Sequence, residues 1–238
     1  MSLTARMMRP DKADRAVAMA GEEIVCDPRG ALYVPAARLL VVSDLHLEKA
    51  SSFARRGILM PPYDTAATLA RLGAVVADYA PRMVISLGDS FHDNGGPDRL
   101  PEPYRESLAA LMAGRDWYWV AGNHDPAPPA GLGGESLREI AVGNLLFRHE
   151  PSASPAPGEI AGHLHPCARI VQRGRSVRRR CFASDGLRLI MPAFGSLTGS
   201  LNVLDRAYAG LFSREGLVAY MLGTDRVYPI AGAMLRPG

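Results

Sequence analysis

Short apolar runs that stop abruptly at polar residues set the rhythm of the first half of the chain. LLVVSD (39–44), MVISLGD (83–89) and DWYWVAGNHD (116–125) each read as a buried strand delivering polar residues at its C-terminal end. Helical spacing separates them. Residues 64–80 place apolar groups on one face, with Asp64 as a candidate N-cap and Pro81 as a stop, and residues 103–114 repeat the pattern with Gly114 at the end. This β-α-β-α-β order predicts a partly parallel sheet with helices packed on it. IVCD, a PRG turn and ALYV read as two short strands ahead of it.

After the Pro/Gly-rich stretch 126–134 the rhythm changes to strands alone. LREIAV, NLLFRHE, GEIAGHL, ARIVQ, SVRRRCFAS, LRLIMPAF, AGLFS, LVAYML and RVYPI alternate with turn signals such as Asp185-Gly186 and Glu215-Gly216, which predicts antiparallel sheet. Residues 1–21 lack periodicity and read as a flexible leader or an added edge element, leaving 22–238 as a single domain.

Composition narrows the class. The chain has 238 residues, a net charge of +3 and 47% hydrophobic residues, as ordinary globular domains do. No apolar run reaches the roughly 18 residues a membrane span needs. The N-terminus has no apolar core of a secretory signal, and three cysteines (Cys26, Cys167, Cys181) in no zinc spacing predict a reduced, cytoplasmic setting.

The six histidines change the picture most. His46, His92, His124, His149, His163 and His165 all fall at or just beyond strand ends. Open α/β folds gather ligands at such ends. Asp44-Leu45-His46 and His163-Leu164-His165 each offer two ligands two residues apart, which share a side if the backbone is extended. Asp89 supplies a carboxylate able to bridge two cations, Asn123 a neutral oxygen, and His149 a further imidazole. Oxygen and imidazole without thiolate suit manganese, iron or zinc, and the set is too large for one ion. Two ions about 3.5–4 Å apart can clamp a phosphate and activate water. Singly, each of these motifs is common; their ordered recurrence on successive strands is not.

Together, Asp44-x-His46, Gly88-Asp89, Gly122-Asn123-His124-Asp125, His149 and Gly162-His163-x-His165 resemble the calcineurin-like metallophosphoesterase superfamily. The resemblance runs from about 38 to about 200 and implies an α/β fold of four layers, αββα, with two mixed sheets face to face. It implies one divalent ion, manganese by preference, on Asp44, His46, Asp89 and His165. A second would lie on Asp89, Asn123, His149 and His163. It gives His124 a catalytic role at the leaving oxygen and has Asp125 orient His124. A metal-bridging hydroxide would attack phosphorus.

SDLHLEKASSFARRG, GDSFHD, GNHDP and PAFGSLTG are similar to bacterial DNA ligase-associated metallophosphoesterases. That likeness implies an endonuclease acting on DNA, single-stranded by preference, in a repair set with a ligase and a helicase. GDSFH also resembles a motif of the Mre11-type nucleases, which makes His92 a phosphate-facing candidate beside its plain reading as a loop-packing residue. This shorter chain lacks room for most of their additional capping and dimerising parts. A small phosphodiester or phosphomonoester is the other substrate class, and a non-catalytic scaffold the third reading.

Softer features stay open at this level. The Arg169–Arg180 run reads either as a phosphate-contacting stripe or as a solvated strand face. Arg55 and Arg56 read either as cleft residues or as surface. Trp117 and Trp119 alternate on one strand and read as core.

Overall fold

The computed structural model describes residues 16–127, 129, 131–154 and 156–238. Its first sheet runs, in spatial order, β1 (Ala16–Met19), β2 (Glu22–Cys26), β3 (Leu32–Val34), β4 (Leu39–Val42), β5 (Met83–Leu87), β6 (Asp116–Val120) and β7 (Glu135–Leu137). The strands β1 to β4 pair antiparallel and β4 to β7 pair parallel. Within the 1–21 segment, Ala16–Met19 thus form an edge strand, and residues 1–15 lie outside the described residues.

Period-two burial explains why this sheet has two covered faces. Leu39, Val41, Ile85, Leu87 and Val120 point toward the second sheet. Leu40, Val42, Val84, Trp117 and Trp119 point the other way, against helices. Those helices are α1 (Lys49–Ala54), α2 (Asp64–Tyr79), α3 (Gly96–Arg99) and α4 (Glu102–Met112). Leu69, Leu72, Val75 and Val76 of α2 and Leu108 and Met112 of α4 fill that outer core. Asp64 does not cap α2 as its position suggested. Tyr63 holds the N-cap place, and the Asp64 carboxylate instead accepts from the Ala50 amide at 3.0 Å, fastening α1 to α2.

The second sheet contains β8 (Glu139–Val142), β9 (Leu145–Arg148), β10 (Glu159–Ala161), β11 (Pro166–Gln172), β12 (Arg175–Ser184), β13 (Arg188–Ile190), β14 (Leu201–Asn202), β15 (Val218–Leu222) and β16 (Val227–Ala231). Its order is β14-β11-β12-β13-β10-β9-β8, with β15 joined to β12 and β16 to β15. The sequence pattern predicted an antiparallel sheet, but β10 runs parallel to both β9 and β13, and β11 runs parallel to β14. The loop between β9 and β10 is long enough to carry the chain back to the starting edge, so both strands end on the same side. AGLFS is not a strand. Leu211 and Phe212 pack from an irregular segment onto the outer core of this sheet. That core (Ala168, Cys181, Ala183, Ile190, Ala219 and Met221) is covered by Tyr208, Leu217 and Leu235. The fourth layer is therefore built, among the described residues, from irregular chain and short 3-10 turns at Arg206–Tyr208 and Gly232–Met234. All three cysteines are free and buried.

One buried ion pair ties together the parallel strands of the second sheet. Glu159 on β10 lies opposite Arg188 on β13, at 1% and 0% exposure, with Arg188 Nε 3.4 Å from Glu159 Oε1. Arg188 also donates to the Ser152 carbonyl at 2.6 Å. Removing one partner leaves the other charge in the interior, so Glu159→Ala should cost about 3–5 kcal/mol of unfolding free energy in urea titration. A loss within the ordinary surface range of about 0.5 kcal/mol would show that the pair does not hold these strands.

Candidate metal centre

Five strand ends open on one edge of the sandwich. The ends of β4, β5 and β6 carry residues 43–48, 88–93 and 122–125, and those of β9 and β10 carry His149 and residues 162–165. The first two loops zip together beyond their strands. The amides of Asp44, His46 and Leu47 donate to the carbonyls of Gly88, Asp89 and Ser90 at 3.2, 2.9 and 2.9 Å. Leu47 and Phe91 then form a parallel bridge.

The backbone here is not extended. Asp44, His46, Glu48, Asp89, His163 and His165 all have left-handed backbones, with φ of 54°, 44°, 60°, 48°, 69° and 46°. For an L residue that conformation costs roughly 1–2 kcal/mol each. Left-handed residues alternate with apolar ones, so Leu45 and Leu47 drop into the core at 1% and 0% exposure while Asp44 and His46 turn to the cleft. The shared side expected for residues two apart is thus achieved by a different backbone from the extended one assumed. Strain of this kind persists only where surrounding structure over-determines it.

Three groups of ligand atoms result, one of them all imidazole (His46, His92 and His124) and two containing a carboxylate. Asp44, His46 and His165 form the first of these two, with His165 Nε2 3.1 Å from Asp44 Oδ1 and 3.3 Å from His46 Nε2. Asp89, His149 and His163 form the second, joined by Asn123. Asn123 Oδ1 sits 2.9 Å from His163 Nδ1 and 3.0 Å from His149 Nε2. Asp89 stands between them, with Oδ1 3.4 Å from His149 Nε2 and Oδ2 3.8 Å from His46 Nε2.

Too few protons are available to satisfy these atoms. The Nδ1–H of His149 donates to the Leu87 carbonyl at 3.0 Å, so in the neutral ring Nε2 is a lone pair facing Asn123 Oδ1 and Asp89 Oδ1. Burial holds the His46 imidazole down at about 3, which keeps it neutral and its nitrogens available. Burial would raise the Asp44 and Asp89 carboxyls, but hydrogen bonds and charge from His165 and from His149 hold both below the usual range. For His149 burial also works downward, yet its contact with Asp89 and the charges of Asp44 and Asp89 push it up to about 9. Converging lone pairs and carboxylates fit divalent cations, which would satisfy the same atoms without a shared proton.

Neighbours that sequence reasoning missed hold these groups in place. Ser43 Oγ donates to Asp44 Oδ2 at 2.5 Å, the His163 amide donates to the same oxygen at 3.1 Å, and the His124 amide donates to Asp89 Oδ1 at 2.9 Å. Gly122 lies so close to Asp89 that any Cβ would overlap its amide and carboxylate, and a Cβ at Gly88 would overlap the His149 ring. The Phe194 and Gly195 amides donate to the Ser43 and Asp44 carbonyls at 2.8 and 3.1 Å, which gives the PAFGSLTG stretch a buttressing role. In the sequence the glycines were visible only as turn residues, and PAFGSLTG only as part of a family resemblance.

His124 departs from its expected orientation. Its Nδ1–H donates to the His92 carbonyl at 3.0 Å, not to Asp125. Asp125 is buried beneath the loops, where its Oδ2 accepts from the Phe91 amide at 2.9 Å, and burial raises its carboxyl to about 7. Asp125 therefore pins the loop that carries Asp89. The ring of His92 stacks on that of His124 at 5.0 Å and 24°, with its Nδ1 3.5 Å from His46 Nδ1. His92 thus stands in the cleft wall, beside the first group. Of the arginine run, Arg169, Arg178 and Arg180 donate to the Pro237, Ser200 and Ala193 carbonyls at 2.8, 2.7 and 2.8 Å, while Arg173, Arg175 and Arg179 are exposed on the β11–β12 hairpin.

The family model for calcineurin-like phosphoesterases matches residues 37–179, and the chain belongs to that family. Among solved structures, the chain is similar to the Pseudomonas putida nuclease MPE, with 29% identity and a TM-score of 0.70 over 90% of this chain and 98% of that one. A likeness to Yfce, a phosphoesterase from E. coli, is distant, with 15% identity and a TM-score of 0.40 over 81% and 98%. No curated protein matches significantly. No helix among the described residues is long and apolar enough to cross a membrane.

The proton on His149 predicts a pH signature. A group held at about 9 when folded, against an ordinary value of 6.5, contributes stability that is complete below 6.5 and lost as pH rises through 9. Chelator-treated protein should show urea midpoints that fall across that window, and His149→Gln should flatten the fall. An equally steep fall in the variant would remove His149 as its source.

Proposed function

We propose that the chain is a dinuclear, manganese-dependent phosphodiesterase that cuts single-stranded DNA in a repair setting. One ion is assigned to Asp44, His46, Asp89 and His165, the other to Asp89, Asn123, His149 and His163. The observation that carries this reading is the pair of proton-poor ligand groups sharing Asp89. Similarity to a nuclease over nearly the full length of both chains supports a phosphodiester, and the choice of DNA rests on the sequence resemblance. A cytoplasmic setting and a functional association with a ligase and a helicase belong to the same reading and rest on sequence resemblance.

Bound there, two divalent ions supply the charge that activates an attacking water and neutralises charge building on phosphorus. The chain's own contribution is arrangement. Two carboxylates against two divalent ions leave the cleft net positive, which suits a phosphodiester anion. The His124 amide fixes Asp89 between the two groups. With Nδ1–H committed to the His92 carbonyl, the His124 ring turns Nε2 toward the cleft, and in its doubly protonated form the Nε2–H can hydrogen-bond the phosphate or pass to the leaving oxygen.

The test compares a labelled single-stranded oligonucleotide, a bis-aryl phosphate and a mono-aryl phosphate in Mn2+. Cleavage of the first two is expected; monoester turnover with intact DNA would overturn the nuclease reading. His124→Ala should lower kcat on DNA by about 10²–10³-fold. It should keep the thermal stabilisation by Mn2+ that Asp89→Ala loses. Wild type and Asp89→Ala equally inert on every ester would favour a scaffold instead.

A further inference from the structure

Beside the first ligand group, residues 53–63 carry chemistry that the metal centre does not use. Behind α1 the chain folds into an ordered turn. The Arg56 and Ile58 amides both donate to the Phe53 carbonyl, at 2.9 and 3.1 Å, and the Gly57 amide donates to the Ala54 carbonyl at 3.0 Å. Arg55 and Arg56 are exposed, and neither guanidinium has an ion-pair or hydrogen-bond partner among the described residues. Ile58, Leu59 and Tyr63 follow at 51%, 89% and 72% exposure. Eight large hydrophobics are exposed among the described residues, and three of them fall in this one short stretch. Scattered exposed apolar groups need no explanation, but a local cluster marks an interaction surface.

This lip is continuous with the cleft. Phe53 stacks on His92 at 5.5 Å and 27°, and His92 stacks on His124 at 5.0 Å and 24°. A file of three rings therefore leads from the turn to the imidazole that faces the reacting phosphate.

We propose that this lip holds the single strand flanking the scissile phosphate, with Arg55 and Arg56 on backbone phosphates and Leu59 and Tyr63 against bases. The inference rests on the nuclease reading above. A duplex hides its base faces in the stack and leaves apolar side chains nothing to contact, whereas a single strand offers phosphates and base faces side by side. Unpaired guanidiniums beside bare apolar groups match that alternation.

The experiment measures KM for a labelled single-stranded oligonucleotide across salt concentrations in Mn2+, with bis-aryl phosphate turnover as the control for an intact centre. R55A/R56A should raise the oligonucleotide KM about tenfold and flatten its log–log salt slope by about 1.4, from ~0.7 per phosphate contact. L59S/Y63A should raise KM about tenfold with the salt slope unchanged, because stacking releases no counterions. Both variants should keep wild-type turnover of the bis-aryl phosphate. Wild type cutting DNA, with variants equal to it in KM and salt slope, would overturn the lip alone and leave the surface to a protein partner. Wild type inert on DNA would take down the nuclease reading together with the lip.

Discussion

More lone pairs than protons converge on Asp89, and the local structure follows from holding them there. Its carboxylate is 2% exposed and lies within 3.8 Å of imidazoles from both sheets, while Asn123 Oδ1 and the His149 and His163 nitrogens crowd within 3.3 Å of one another. Left alone, such atoms repel and would take up water or protons. Without an ion, the contact with Asp89 and the charges of Asp44 and Asp89 raise the His149 imidazole to about 9, which favours a proton there. Divalent cations relieve the repulsion better, since they satisfy several acceptors at once.

Holding acceptors together against repulsion requires rigidity that the loops cannot supply alone. Six left-handed residues in three short loops would be unfavourable in isolation by several kcal/mol, at roughly 1–2 kcal/mol each. Packing on both sides offsets the strain. Leu45 and Leu47 anchor the first loop in the helix-side core, Leu164 leans on the outer core of the second sheet, and the inter-sheet core fixes where the strand ends face one another. The Phe194–Gly195 stretch closes the first loop from outside, and Arg71 donates to the Phe194 carbonyl at 2.7 Å to hold that stretch. Small residues at 88 and 122 let the loops approach to contact.

Much of this was legible in the residue pattern because strands that end in Asp, Asn or His obey two simple periodicities. The strands β4, β5 and β6 and the helices between them follow from apolar runs and helical spacing, and ligand types at strand ends point to a two-ion site, while the grouping of Asp44, His46 and His165 came from the family resemblance. What escaped the pattern depends on long-range pairing. Whether β9 and β10 run parallel turns on where residues 149–158 lead the chain, and composition does not encode that. The irregular AGLFS stretch has strand-like composition because its apolar side chains cover a sheet without joining it. Left-handed backbones at Asp44 and Asp89 are forced by neighbouring loops, and Ser43 is an ordinary serine until its hydroxyl meets a buried carboxylate.

Asp125 shows how sequence adjacency can mislead about chemistry. A carboxylate next to a histidine suggests a proton-holding pair, but successive residues at a turn point apart, and here one enters the core while the other faces solvent. The buried position makes Asp125 a poor charge partner, since burial lifts its carboxyl to about 7, and a good anchor for the Phe91 amide. The orienting acceptor for His124 is instead a main-chain carbonyl, that of His92. A carbonyl can only accept, so backbone geometry keeps a proton on Nδ1 of His124. The same residue sends its ring between Phe53 and His124. Through His92, therefore, one loop position links the orientation of the His124 imidazole to the surface that α1 and its following turn present beside the cleft.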